Sequence, residues 1–306
     1  MSPRTRLWLV SFAVAATTGV PAHASPEVSQ TAPVMVNGIV VDDQGHLWVC
    51  DGLGSELLEL EAPGERILAR YGRDVGVDGP DDLVIDHDFV YYTANFTLFN
   101  AVAKLDRRTG RAATIAEPAL GTNPIAWTPE GKLYVGATPA ASGELGAALG
   151  ITGLYEVDPI SGAYALVVAD DGGSNGFSVG PDGAVYGPHW TGTSVIRIDP
   201  QSGEVRELHK GLQFASSVRY NVRDDRLYVL TGETAYRATL VSMALDGSNS
   251  HVFARLSEQP DALLVSADNF AIAPDGTFYV TRFVTPIITR VSADGATIDD
   301  FHVGRR

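Results

Sequence analysis

Hydrophobic and polar positions follow one pattern that returns six times along the chain. Residues 267–280 read "ADNFAIAPDGTFYV": a polar pair, an alternating apolar run, a Pro-Asp-Gly turn and a second apolar run. Alternation with a period of two predicts β-strands, and a short turn with Asp and Gly predicts a hairpin between them. The related stretches are "VNGIVVDDQGHLWV" at 36–49, "DDLVIDHDFVYY" at 81–92, "TNPIAWTPEGKLYV" at 122–135, "SNGFSVGPDGAVYG" at 174–187 and "SSVRYNVRDDRLYV" at 216–229.

Each hairpin is followed by two weaker strand signals, as in "SVIRIDPQSGEVREL" at 194–208. No stretch of useful length between them shows the 3.6-residue period of an amphipathic helix. Six units with a period of about 47 residues and four antiparallel strands each predict an all-β fold, a six-bladed β-propeller. An all-β sandwich is the alternative, and the regularity of six matched units disfavours it.

The first residues of the chain have a different composition. Arg4 and Arg6 precede an apolar run, and Ala22-His23-Ala24 follows it, which is the pattern of a secretory signal peptide over residues 1–24. We therefore expect a secreted or periplasmic protein whose residues 25–306 form a single propeller domain. The one cysteine, Cys50, ends an apolar run, so we expect a buried thiol and a fold stabilised by packing without disulfides.

Charge narrows the range of partners. The chain has 22 Lys and Arg against 37 Asp and Glu, a net charge of −15, and no basic cluster. This balance disfavours nucleic acid and anionic membranes as partners, and after signal cleavage we expect no membrane association. We expect a monomer that binds a small molecule, and an acidic surface also suits a protein that holds cations.

Register selects one polar residue at the start of each first strand. Side chains alternate between the two faces of a strand, so we align the units on the apolar residues two and four positions further on. The resulting column consists of Asn37, Asp81, Asn123, Asn175, Ser216 and Asp268. First strands line the central channel of a propeller, so these six side chains are predicted to meet at one mouth. The next slot contains Gly38, Asp82, Pro124, Gly176, Ser217 and Asn269, and for Asn269 we expect a local role.

The chemistry of the column favours a hard cation. Two carboxylates brought together repel unless a cation lies between them or one is protonated. The column has only oxygen donors and neither His nor Cys, which favours Ca²⁺, with Mg²⁺ or Mn²⁺ as alternatives, over zinc or copper. The structural alternative is that these residues cap strands or hold channel water.

At these residues the chain resembles the senescence-marker-protein/gluconolactonase/luciferin-regenerating family and the related paraoxonases, over nearly all of residues 25–306. The resemblance rests on the repeated "NG-apolar…DG-x-LYV" pattern, the Asp268-Asn269 pair and the six units. It implies a catalytic Ca²⁺ in the channel mouth with ligands at Asp81, Asn175 and Asp268. Ser216 stands where the family has a second asparagine, and Asp81 where it usually has glutamate. Asn123 is a candidate additional ligand.

The resemblance also implies an activity: a secreted, Ca²⁺-dependent hydrolase of lactones or esters, in which the metal polarises the carbonyl and positions water. Asp268 is the first candidate for the base, or is a ligand alone, and His189 is the second candidate. Loops that follow the second strands are expected to rim the pocket and to select a substrate with apolar surface. Candidate substrate-binding residues are Asn37, Phe96, Trp190, Ser216, Arg282 and Phe283.

Two other functions stay open. A non-hydrolytic biosynthetic enzyme, such as a cyclase, lyase or condensing synthase, would use the same propeller to orient an apolar substrate. Ser216, the aromatic rim and a long Gly- and Ala-rich loop at 137–153, a candidate lid, motivate this alternative. A non-catalytic ligand-binding propeller is the other alternative, since a fold does not determine function.

Overall fold

Twenty-four strands form six separate sheets in the computed structural model, which describes residues 27–97, 100–119, 121–137, 153–169, 174–189, 193–234, 236–258 and 267–304. Each sheet has four antiparallel strands that follow one another in chain order. The predicted signal peptide, Trp190 and all but the ends of the predicted lid loop lie outside the described residues.

The strands have the following bounds. Blade 1 contains β1 (Ile39–Val41), β2 (Leu47–Asp51), β3 (Glu56–Glu61) and β4 (Arg66–Tyr71). Blade 2 contains β5 (Pro80–Ile85), β6 (Phe89–Ala94), β7 (Ala101–Asp106) and β8 (Arg111–Ala116). Blade 3 contains β9 (Thr122–Trp127), β10 (Leu133–Ala137), β11 (Gly153–Val157) and β12 (Tyr164–Val168).

The second half of the chain repeats this arrangement. Blade 4 contains β13 (Ser178–Val179), β14 (Val185–Pro188), β15 (Ser194–Ile198) and β16 (Val205–Lys210). Blade 5 contains β17 (Gln213–Asn221), β18 (Arg226–Thr234), β19 (Arg237–Met243) and β20 (His251–Arg255). Blade 6 contains β21 (Phe270–Ile272), β22 (Phe278–Arg282), β23 (Ile287–Val291) and β24 (Ile298–His302).

The first strand of every blade contacts the first strands of both neighbouring blades. β1 lies against β5 and β21, β9 against β5 and β13, and β17 against β13 and β21. The six inner strands therefore close a ring around a central channel, and the predicted six-bladed β-propeller is confirmed.

Ring closure, which the sequence left open, uses contacts between complete blades. Each blade is one continuous segment, so no strand is exchanged between the two ends of the chain. The Gln30 side chain instead bonds both backbone groups of Ile67 in β4, at 2.8 and 3.0 Å. Gly304 N donates to Glu65 O at 3.0 Å, so both ends of the described chain are held at the outer edge of blade 1.

The core lies between the faces of neighbouring blades. Between blades 5 and 6, the rings of Tyr228 and Phe278 have centroids 4.8 Å apart, and Phe253 and Phe270 extend the cluster. Cys50 is fully buried, as expected. The helix within the described residues is a 3₁₀ turn, Arg73–Val75, and among those residues we find no helix with the length and hydrophobicity needed to cross a membrane.

Candidate functional site

The column residues lie at the start of the inner strands, at one end of the channel. Asn37, Asp81, Asn175 and Ser216 are 3–5% exposed, and Asp268 is partly buried. Asn37 Nδ2 donates to Asp81 Oδ1, and Asn175 Nδ2 donates to Asp268 Oδ1 at 3.3 Å. The second bond joins blades 4 and 6 past blade 5, so the side chains converge over the channel. We call this end of the channel the mouth.

The other two column residues, Ser216 and Asn123, make no hydrogen bond to the Asp81 or Asp268 carboxylate among the described contacts. Ser216 Oγ points at Leu230 O, 3.5 Å away, within its own blade. Asn123 is partly buried, and its backbone oxygen accepts a hydrogen bond from Thr93 Oγ1 at 2.6 Å. Among the described contacts, the Asn123 side chain makes no hydrogen bond. The structure therefore brings Asn123 to the mouth without joining it to the carboxylates.

Asn95 is a mouth residue that sequence reasoning missed. Its Nδ2 donates to Asp81 Oδ2 at 2.8 Å, so both oxygens of this carboxylate accept a hydrogen bond from an amide. Asn95 directly follows β6, and loops after second strands rise on the same face as the starts of first strands. Its neighbour Phe96 was predicted for this reason, and the same reasoning applied to Asn95 would have found it.

Electrostatics at the mouth oppose two ionised carboxylates. Burial raises the pKa of Asp81 well above its ordinary value, and the negative charges of Asp268 and Asp82 raise it further, against the hydrogen bond from Asn95. Burial and the charge of Asp82 raise the pKa of Asp268 to about 7, although Asn175 and Arg219 oppose this rise. A proton or a cation is therefore favoured at the mouth.

Three residues of the next slot and Arg219 form a polar layer across the channel, which consists of Asp82, Ser217, Arg219 and Asn269. Asn269 Nδ2 donates to Asp82 Oδ1 at 3.0 Å. Asn269 Oδ1 accepts from Ser217 Oγ at 3.0 Å and from Arg219 Nη2 at 2.6 Å. Arg219 Nη2 lies 3.6 Å from Asp82 Oδ1, so the layer contains one ion pair. The expectation of a local role for Asn269 is wrong, because its amide joins blades 2, 5 and 6.

Close approach of the inner strands explains the glycines in this slot. Gly38 N donates to Asp81 O at 2.8 Å, and Val218 N donates to Gly176 O at 2.7 Å. A Cβ at Gly38 would lie 2.5 Å from Asp81 O, and a Cβ at Gly176 would lie 2.5 Å from Ser217 Oγ. Any larger residue would therefore separate the strands that carry the mouth and the layer.

Apolar side chains surround the mouth on its outer face. Phe96 lies against Gly52, where a Cβ would come within 2.5 Å of the Phe96 ring. Further exposed apolar residues lie before or at the start of first strands or follow second strands, which places them on this face. We call the set the apolar rim, and it consists of Val34, Leu53, Phe96, Phe214 and Tyr236. Of the predicted rim aromatics, Phe283 is partly buried in the loop after β22.

Arg282 differs from the expectation that it lines the pocket. Its side chain is completely buried. Arg282 Nε donates to Thr289 Oγ1 at 2.7 Å and Nη2 donates to Ser257 Oγ at 2.9 Å, while Asp300 lies 3.6 Å away. These described partners belong to blade 6 and to the segment after β20, so these contacts of Arg282 join outer elements of the fold.

His189 follows β14 and is partly buried. Its backbone pairs with Ser174 and donates from N to Ser194 O at 2.9 Å. Among the described contacts none joins His189 to Asp268, so its role as a base stays a prediction.

A second cluster of possible metal ligands lies on the opposite face, at the turn after β1. Asp42, His46 and Glu59 each place one ligand atom within 4.8 Å of the others. His46 Nδ1 is 2.8 Å from Glu59 Oε1, and Arg107 Nη2 is 2.7 Å from Asp42 Oδ2. Arg107 already supplies a positive charge to this cluster, so its carboxylates do not require an added cation.

The donor set of the mouth fits a calcium ion. It combines the carboxylates of Asp81 and Asp268 with the amides of Asn37 and Asn175, and oxygen donors of this kind suit Ca²⁺. The amides donate N–H groups to the carboxylates, and an amide that turns over presents its Oδ1 to the same point. A divalent cation there would offset the burial and repulsion that raise both carboxyl pKa values.

A scan of the chain against family models finds no match, and a search of curated proteins finds no significant match. Solved structures share the fold. A catalytically inactive virginiamycin B lyase from Staphylococcus aureus with quinupristin matches with a TM-score of 0.60 and 17% identity, over 88% of this chain and 84% of that one. Regucalcin from Agrobacterium tumefaciens, described as a calcium-binding protein, matches with a TM-score of 0.59 and 16% identity, over 90% and 94%.

A gluconolactonase from Xanthomonas campestris matches with a TM-score of 0.52 and 22% identity, over 64% of this chain and 69% of that one. These neighbours are six-bladed propellers of the gluconolactonase-like kind, so the predicted resemblance is confirmed at the level of the fold. At 16–22% sequence identity the similarity shows the fold and does not determine the reaction.

Proposed function

We propose that this protein is a calcium-dependent hydrolase of lactones or esters whose active site is the channel mouth. The observation that carries the proposal is the convergence of the Asp81 and Asp268 carboxylates, each held by an asparagine amide, in surroundings that raise both carboxyl pKa values. A neighbour named for calcium binding and another named a gluconolactonase support the same chemistry.

The proposed role of each mouth residue follows from its position. Asp81, Asn37, Asn175 and Asp268 would hold the ion, which when bound supplies Lewis-acid polarisation of a carbonyl oxygen. Asn95 fixes the orientation of the Asp81 carboxylate through its 2.8 Å hydrogen bond. Asp268 Oδ1 accepts from Asn175, and Oδ2, which has no hydrogen-bond partner among the described residues, is free to take a proton from an attacking water.

The polar layer lies directly beneath the mouth and spans the channel, so substrate enters and product leaves on one face. The apolar rim on that face favours a substrate with apolar surface beside its ester or lactone group. The net charge of −15 disfavours strongly anionic substrates. We also propose, from the sequence of residues 1–24, that the protein is exported, and that it acts on its small-molecule substrate as a monomer.

Metal analysis of the purified protein tests the proposal directly. We expect about one Ca²⁺ per chain, loss of that metal in the double variant Asp81→Asn/Asp268→Asn, and hydrolysis of apolar esters or lactones that stops with a chelator and returns with Ca²⁺. The matched control is Glu59→Gln, in the carboxylate cluster on the opposite face, which should retain both metal and activity. Hydrolysis that continues at full rate in excess chelator would contradict the proposal.

A lyase is the second candidate, favoured by the position of Ser216. Its hydroxyl faces Leu230 O within its own blade and, among the described contacts, makes none with either mouth carboxylate. The column therefore offers fewer metal ligands than the resemblance implies. A lyase would cleave the ester C–O bond by removing a proton from the substrate, without adding water. Reaction in ¹⁸O-labelled water separates the two: hydrolysis places the label in the product acid, whereas elimination leaves it unlabelled.

A further inference from the structure

The two carboxylates of the mouth belong to separate hydrogen-bonded groups. Asp81 accepts from Asn37 and Asn95, and Asp268 accepts from Asn175. Among the described contacts, no hydrogen bond joins one group to the other. An ion held by both carboxylates needs a fixed separation between them, so other contacts have to set that separation.

The polar layer connects the residues that directly follow the two carboxylates in the chain. Asp82 follows Asp81, and Asn269 follows Asp268. The 3.0 Å bond from Asn269 Nδ2 to Asp82 Oδ1 joins blade 6 to blade 2. Blade 1 lies between these blades, and its residue in this slot, Gly38, adds no side chain. The bond therefore fixes the distance between the two strands one residue below the mouth.

Buried threonines hold the backbone at both ends of this bond. Asp82 N donates to Thr93 Oγ1 at 3.2 Å, and Asn269 N donates to Thr281 Oγ1 at 3.2 Å. Both threonines are completely buried in second strands, Thr93 in β6 and Thr281 in β22. Because the backbone is held on both sides, a shift of either layer residue would move the neighbouring carboxylate with it.

The layer also contacts blades 3 and 4. Ile125 N donates to Asp82 Oδ2 at 3.4 Å. Arg219 Nε donates to Phe270 O at 3.1 Å, and Arg219 Nη1 donates to Phe177 O at 2.7 Å. The layer and its contacts thus connect the inner strands of blades 2 to 6, so the channel resists a change of width at this level.

We propose that Asn269 is a positioning residue for the metal site, and that its bond to Asp82 holds Asp81 and Asp268 at a separation that favours Ca²⁺ over Mg²⁺. The inference rests on the calcium site proposed above. Ca²⁺ binds oxygen ligands at about 2.3–2.6 Å with variable geometry, whereas Mg²⁺ requires about 2.0–2.1 Å in a nearly ideal octahedron. A connected ring of strands does not contract easily to the shorter distances, so the layer contributes to the choice of ion.

Calorimetric titration of the full chain with CaCl₂ and with MgCl₂ tests the proposal without an activity assay. Asn269→Asp is isosteric and replaces the amide donor with a second acceptor that faces Asp82. We expect this variant to bind Ca²⁺ about tenfold more weakly, and the ratio of the Mg²⁺ to the Ca²⁺ dissociation constant to fall. A purely electrostatic role predicts tighter Ca²⁺ binding, since the variant adds a negative charge beside the mouth.

A second variant removes the same bond without added charge. In Asn269→Ser the shorter side chain does not reach Asp82, and the ratio of the two dissociation constants should again fall. Asp82→Asn is the conservative counterpart, because its amide oxygen still accepts from Asn269. Loss of this charge affects two divalent ions alike, so the ratio should stay within about threefold of the wild-type value even where both affinities change.

Leu58→Ala controls for a general loss of stability. Leu58 is completely buried in β3, in the core between blades 1 and 6, and takes no part in the layer. This variant should bind both ions as the wild type does. A wild-type ratio in both Asn269 variants, or an equal fall in Asp82→Asn or Leu58→Ala, would overturn the positioning role and leave the calcium site standing. A wild-type protein that binds no Ca²⁺ would refute the proposed function and this inference together.

Discussion

Asn269→Leu is the sharpest test of the polar layer. The side chain of Asn269 makes three hydrogen bonds, to Asp82 at 3.0 Å, to Ser217 at 3.0 Å and to Arg219 at 2.6 Å. Leucine has the same branching at Cγ, is somewhat larger, and cannot make any of them. The variant therefore removes polar partners from a buried carboxylate and a guanidinium without opening a large cavity.

The expected loss follows from the partners. A hydrogen bond to a charged group contributes about 1.5–3 kcal/mol and a neutral one about 1 kcal/mol. Two of the three partners, Asp82 and Arg219, are charged, and they retain each other at 3.6 Å, so the terms do not simply add. We expect the free energy of unfolding to fall by about 3–5 kcal/mol, the range for breaking a buried charged network.

Urea unfolding followed by tryptophan fluorescence measures this loss. The matched control is Asn123→Leu, which changes the same residue type in the same channel where the side chain makes no hydrogen bond among the described contacts. Its cost should stay within about 1 kcal/mol, in the range of a substitution away from a network. If the two variants lose equal stability, or if Asn269→Leu loses less than about 1 kcal/mol, Asn269 does not join the layer as described.

Two further predictions concern the backbone and the turns. Gly38→Ala should lower the free energy of unfolding by more than about 2 kcal/mol, because the new Cβ would lie 2.5 Å from Asp81 O. The control is Gly45→Ala, where the backbone is left-handed but the space around it is open, and its cost in the same unfolding assay should be only about 1 kcal/mol. The backbone N–H groups of Ser161 and Ile160 lower the pKa of Asp158, and those of Ser202 and Gln201 lower the pKa of Asp199. These carboxylates therefore stabilise the folded state above about pH 4, and that stability is lost as the pH falls toward the lowered pKa values. The double variant Asp158→Asn/Asp199→Asn should show a smaller change in unfolding free energy between pH 3 and pH 5 than the wild type, and an unchanged pH profile would show that these turns do not couple to folding.

The sequence predicted the blades because each one is a local pattern. A hairpin needs only alternation and a turn, and both can be seen in fourteen consecutive residues such as 267–280. The column was predictable for a related reason. Once the apolar residues of each inner strand are aligned, the polar residue before them has a fixed position, and Asp81 and Asp268 reach the mouth from blades 2 and 6 as that alignment requires.

The polar layer was not predictable in the same way. Arg219 lies three positions after Ser216, where the other inner strands carry Val40, Val84 and other small or apolar residues. From the local sequence, an arginine at that position is typical of a solvent-exposed site in a strand. Its function depends on a side chain long enough to extend back along the channel to Asn269, and on a carboxylate 137 positions earlier in the chain, at residue 82. Pairing over such a separation leaves no local signal.

The way the chain neutralises its buried carboxylates distinguishes the mouth from other acidic positions. Asp82 faces Arg219 at 3.6 Å, and Asp42 faces Arg107 at 2.7 Å, so each has an internal cation. Among the described residues, no Lys, Arg or His lies within ion-pairing distance of Asp81 or Asp268, and only amides bond to them. Asp81 is buried and Asp268 partly buried, and without a cation at ion-pairing distance both are costly to ionise, while mutual repulsion adds to that cost. Two other buried aspartates, Asp82 and Asp42, each have an arginine partner. The described part of the mouth has no such arginine, so a bound ion or protons would have to supply the positive charge. Loading with Ca²⁺ and protonation of the carboxylates are therefore competing events at the mouth, and calcium affinity should weaken as the pH falls.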